Sequence, residues 1–110
     1  MRVWSSDLVD VLKNACAVNK SYCDIEFDFK EKKMIVFSVG KGVHTKNTIK
    51  IDDIPKKIEY NKKVCYNVTP VKLTKIDAGI LYLTIKEDDI IFANKDYKIE
   101  LSYDDDKWEN

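Results

Sequence analysis

A chain of 110 residues in which 19 basic side chains balance 19 acidic ones carries no formal net charge and has the length of one ordinary domain. Its 45% hydrophobic content is enough for a buried core, and its 35% charged content is enough for a solvated surface, which argues against a disordered chain. No apolar run approaches the roughly 18 residues of a membrane-crossing helix, and Met1 to Asp7 lacks the charged-then-apolar layout of a secretory leader, so an intracellular, cytoplasmic protein is expected.

The elements read in chain order as follows. A short strand, Arg2 to Trp4, leads into a helix that Ser5 is placed to cap. Leu8, Val9, Val11, Leu12, Ala15, Cys16 and Val18 form its broad apolar stripe, with Asp10, Lys13, Asn14, Ala17 and Lys20 opposite. Ile25, Phe27 and Phe29 then alternate with Asp24, Glu26, Asp28 and Lys30, the period of a half-buried strand. The chain turns at Lys30-Glu31, returns through the apolar run Met34 to Phe37, turns again at Gly40-Lys41-Gly42 and continues as a third strand from Val43 to Ile51. Asp52 to Lys63, which contains Pro55, reads as a connector.

The second half repeats this order. Val64 to Val68 is a strand, and Thr69-Pro70 offers a cap followed by a proline at the first helical position, predicting a helix from Pro70 to Asp77 that buries Leu73 and Ile76 and points Lys72 and Lys75 outward. Leu81, Leu83 and Ile85 share one face of a strand that turns at Lys86-Glu87 and returns through Ile90 to Phe92, and Tyr97 to Tyr103 alternates as a third strand. The two Lys-Glu pairs are 56 residues apart (87 − 31) and the two helix starts 64 apart (69 − 5), so the second copy is shorter by about two helical turns. The predicted organisation is one α+β domain over 1–110: a βαβββ unit at 1–52, a connector at 53–63, a second βαβββ unit at 64–103 and an acidic tail at 104–110.

This duplicated unit, with its two Lys-Glu hairpins and two capped helices, resembles the DNA sliding clamps, the family of proliferating cell nuclear antigen and the bacterial polymerase β clamp. The resemblance runs from Val3 to Tyr103. It implies antiparallel sheets with both helices on one face, turned toward duplex DNA, and it makes Lys13, Lys20, Lys72 and Lys75 the DNA-facing cations. Contact of that kind needs positive charge at the right distance and reads no base sequence. The resemblance also implies self-association through edge strands, and a platform on which other replication or repair proteins assemble.

Nothing in the residues points to catalysis, and neither a cofactor nor a metal is expected. His44, the one histidine, falls on the outward set of a strand with Lys46, Thr48 and Lys50. Cys16, Cys23 and Cys65 are odd in number and lack CxxC spacing, so they read as reduced, buried thiols and not as zinc ligands. Asp52-Asp53 and Asp88-Asp89 lack the further oxygen ligands of a calcium loop. Two aromatics stand outside the expected core: Tyr60 in the connector, and Trp108 in the acidic tail, a candidate partner-binding residue. The alternative to a DNA accessory factor is a small viral or mobile-element module that binds a host protein without DNA.

Overall fold

The structure, a computed structural model, describes residues 1–73 and 78–109. Among them are nine strands and one α-helix, an α+β fold with two antiparallel sheets. The elements are β1 (Arg2–Trp4), α1 (Ser5–Val18), β2 (Cys23–Asp28), β3 (Lys33–Gly40), β4 (Val43–Lys50), β5 (Lys62–Val68), β6 (Ile80–Ile85), β7 (Asp89–Ala93), β8 (Lys98–Ser102) and β9 (Asp105–Glu109). One sheet has the order β1-β6-β7-β8 and the other β4-β3-β2-β5-β9.

Both meanders anticipated from the alternation are present. Each leading strand, however, lies in the sheet of the other half: β1 pairs with β6, setting Val3 opposite Leu81, and β5 pairs with β2, setting Cys65 opposite Ile25. The exchange ties the halves into one core, in which Ile25, Phe27, Met34 and Val36 of one sheet and Leu81, Ile90, Phe92 and Leu101 of the other are fully buried together with Leu8 and Leu12 of the helix. The β3–β4 turn is a two-residue hairpin in which Lys41 and Gly42 both take positive φ (49° and 76°), the mirror-image turn whose twist matches the flanking strands.

α1 lies across β3 and β4 and buries Leu8, Val11, Leu12 and Ala15. Its start differs from the sequence reading: the cap position is Trp4, and no side chain caps it. Ser5 is the first helical residue, and it ties the helix to the chain arriving at β6, its N–H donating to the Gly79 carbonyl (2.8 Å) and its hydroxyl accepting from the Ala78 N–H (3.2 Å). Because β1 and β6 pair, that incoming chain runs beside the helix start and takes the hydrogen bond a cap would have used. The helix ends at Val18, so Lys20 stands just beyond it. Asn19 fastens this end, donating to the Val39 carbonyl (3.0 Å) and accepting from the Ser21 N–H (2.8 Å) and the Tyr22 N–H (3.1 Å).

The predicted second helix is not present where it can be judged. Thr69 to Leu73 is irregular, and the Thr69 N–H donates to the Ser102 carbonyl (3.1 Å) where a helical cap was expected; the remainder of that prediction, 74–77, lies outside the described residues. The connector holds one 3-10 turn, Lys56–Ile58, and gives way to β5 already at Lys62. The acidic tail is also corrected: Asp105–Glu109 is β9, paired antiparallel with β5.

Candidate nucleic-acid interface

The fold assembles three of the four lysines named from sequence. Lys13 and Lys20 come from α1 and its exit, Lys72 from the segment after β5, and together with Cys16, Ala17 and Pro70 they line one groove of about 410 Å³. Lys75 lies outside the described residues.

The grouping follows from helical geometry. Positions 13, 16 and 17 follow the i, i+3, i+4 spacing and form one flank of α1, to which Lys20 is added from the extended exit after Val18, while 7, 10, 11 and 14 form another flank. Asp7, Asp10, Val11 and Asn14 line a separate cleft of about 290 Å³ against β4, where they meet Asn47, Thr48, Ile49 and Lys50. The helix is therefore polarised across its width, acidic toward β4 and basic toward the 70–73 segment. No acidic residue is among the described residues that line the basic groove.

At the floor of the groove, burial pushes the Cys16 thiol up, and the charges of Lys72 and Lys20 pull it the other way. The two ammonium groups thus act on one point although their residues are far apart in sequence. Cys23 and Cys65, free and buried like Cys16, are pushed up to about 12, above all by burial. Thiols held that far above neutral pH are protonated and serve as small core side chains.

The other candidates fall elsewhere. His44 is exposed on β4, and no group of three or more metal-ligating side chains occurs among the described residues. Tyr60 is exposed beside the 3-10 turn. Trp108 belongs to β9, folded back with its ring stacked on Phe29 (centroids 6.1 Å apart) and the Lys63 ammonium 4.6 Å from its own centroid, while 47% of the residue stays exposed. Lys63 is only 5% exposed and bridges to Asp106 at 2.9 Å, a role its sequence does not signal, because a Lys-Lys doublet reads as a solvated loop unless the strand that buries one member is known.

Comparison with family models, with curated proteins and with solved structures returned no match. No described helix is long and apolar enough to cross a membrane.

Proposed function

We propose that this chain is a non-enzymatic, clamp-like accessory factor of DNA replication or repair that works inside the cell, holding duplex DNA without reading its sequence. Lys13, Lys20 and Lys72 attract phosphates at the groove beside α1, and the remaining surfaces serve protein partners. One observation carries the reading: three lysines from two separate segments converge on a groove with no acidic residue among its described lining. The reciprocal placement of β1 and β5 supports the tandem-repeat origin on which the likeness to clamps rests.

The test is duplex binding by fluorescence anisotropy over a salt series, with several unrelated sequences. Affinity is expected to be the same for all of them and to fall log-linearly with salt. Lys72→Glu is expected to reduce the salt slope by about 0.9 and, at about 0.1 M salt, to weaken binding about eightfold or more, the effect of one lost phosphate contact. Lys95→Glu, exposed and away from the groove, serves as control. Absence of binding at low salt, or equal losses for the two variants, overturns the proposal.

A second reading, the host-factor-binding module, is favoured by the outer face of β1 and β6. There Trp4 and Tyr82 are 52% and 58% exposed on the side opposite the buried Val3–Leu81 pair, the kind of aromatic surface that protein partners cover. Indifference to DNA at low salt, together with loss of a partner on Tyr82→Ala, would select it.

A further inference from the structure

The β3–β4 turn and the chain between α1 and β2 meet at one end of the five-stranded sheet. The Asn19 side-chain amide donates to the Val39 carbonyl, and the Asn19 side-chain oxygen accepts from the Ser21 and Tyr22 N–H groups, so Lys20 to Tyr22 are fastened beside the hairpin tip. Continuing the β2–β3 register past Asp24–Phe37 brings Tyr22 level with Val39 (22 + 39 = 24 + 37). Gly40 pairs with Val43, which leaves only Lys41 and Gly42 to make the turn. The tip is therefore narrow.

Its side chains are apolar on both faces. Val39 stands with its partner His44 on the outer face, and Val43 points to the other, the side on which Gly40 meets the end of α1. Tyr22, Val39 and Val43 are each at least half exposed. Apolar residues scattered singly over a surface need no explanation, but three gathered at one protruding end mark a contact.

The charge around them has one sign. Residues 18–22 and 37–46 hold Lys20, Lys41, His44 and Lys46 and no acid, in a chain whose 19 basic and 19 acidic groups otherwise balance. None of the three lysines is in an ion pair among the described residues. The Lys46 ammonium instead lies 5.9 Å from the centroid of the Phe37 ring, its stem running over apolar surface toward the tip. The one acid in the row through Lys46 and Phe37 is Asp24, which accepts a hydrogen bond from the Asn67 N–H (3.1 Å).

A partner laid flat against the hairpin would cover Val39 or Val43 and leave the other in water. A lipid surface surrounds an inserted tip, so both valines leave water together while the lysine ammonium groups stay among the headgroups. Tyrosine and lysine are the residue types that settle at that boundary. β4 is an edge strand, and its unpaired backbone groups need water or headgroups, which keeps the insertion shallow.

We propose that this end of the molecule docks on an anionic lipid bilayer, with Val39, Val43 and Tyr22 in the headgroup boundary and Lys20, Lys41 and Lys46 against the lipid phosphates and carboxylates. The contact is peripheral and goes beyond the DNA reading. Lys20 also lines the groove, so the tip variants leave it in place.

The experiment is co-sedimentation of the full chain with phosphatidylcholine vesicles, with and without phosphatidylserine, at low and high salt. Binding is expected only with phosphatidylserine present and is expected to weaken as salt is raised. Lys41→Glu with Lys46→Glu should weaken it at least about 25-fold, about fivefold for each ammonium lost. Val39→Thr with Val43→Thr keeps charge and strand preference, and should weaken it about fivefold through the lost burial of two methyl groups, an effect that charge attraction alone would not give. Tyr60→Ser, at the opposite end of the sheet, should bind as the wild type does, and all variants should keep the wild-type circular dichroism spectrum. No binding to phosphatidylserine vesicles at low salt, a folded valine variant that binds as tightly as the wild type, or an equal loss in the Tyr60 variant overturns the proposal. So does a lysine variant that loses affinity for duplex DNA and none for vesicles, which would make the tip a nucleic-acid contact.

Discussion

Gly40→Ala is expected to destabilise the protein by about 2–3 kcal/mol, the upper part of the range for overpacking, and to lower the melting temperature by about 10 °C. A β-carbon at this position would collide with the Val18 carbonyl oxygen and lie 3.2 Å from its carbonyl carbon. Both are backbone atoms of the last helical residue, so no side chain can rotate away. Relief requires the end of α1 to lift from β3, against the Asn19–Val39 hydrogen bond and the packing of Ala15, which is fully buried. Gly42→Ala is the informative comparison. Its β-carbon would meet nothing within 4 Å, but φ is +76°, so the expected cost is only left-handed backbone strain of about 1 kcal/mol. Thermal melts of the two variants should rank Gly40 as the more damaging position. Equal losses would mean that the helix end moves freely.

Sequence patterning alone points to Gly42, the turn glycine, and gives no hint of Gly40, whose constraint comes from a helix more than 20 residues earlier in the chain (40 − 18 = 22). The same division runs through the fold. The leading strands of both meanders were legible because each repeats an inward apolar residue at every second position, as Ile25, Phe27 and Leu81, Leu83 show, and their partners because a short apolar run follows each Lys-Glu turn. α1 was legible because its stripe is long and interrupted by neither proline nor glycine. β9 was not, because Asp105-Asp106-Lys107-Trp108-Glu109 has no apolar alternation and is held by a buried lysine on a neighbouring strand. Thr69-Pro70 carries a helix-start signal, yet Thr69 to Leu73 is irregular and the Thr69 N–H is bonded to the Ser102 carbonyl. Of the candidate groove, Lys13 was readable as an outward position of the helical stripe, whereas Lys20 lies past the end of the helix, and its meeting with Lys13 and Lys72 depends on how the chain leaves α1 at Asn19 and where the segment after β5 lies.

The largest charge effect is expected at the pair that fastens β9. Lys63 is buried under Trp108 and its ammonium has one carboxylate partner among the described residues, Asp106 at 2.9 Å. Tyr103 also approaches Asp106 (3.3 Å), but its single hydroxyl proton is committed to the closer Lys86 carbonyl, so Lys63 carries the neutralisation. Asp106→Asn strands a positive charge whose side chain is 6% exposed, and a loss of about 3 kcal/mol at neutral pH is expected, at the low end for a broken buried pair because the Asp106 side is 33% exposed. Lys63→Met should cost clearly less, since the carboxylate it leaves behind is open to water and the methionine still fills the space under Trp108. pH supplies an independent check. The Lys63 hydrogen bond is the main cause holding the Asp106 carboxyl below its ordinary value, and a group lowered on folding contributes its stability above the unfolded-state value of 3.8 and loses it as the pH falls through the folded-state value. Urea unfolding of wild type and Asp106→Asn should therefore differ by a constant amount near neutral pH, and the difference should shrink below about pH 5 as the wild-type carboxylate takes up its proton. A difference that persisted unchanged into strong acid would show that β9 is held by Trp108 and the backbone ladder, and not by charge.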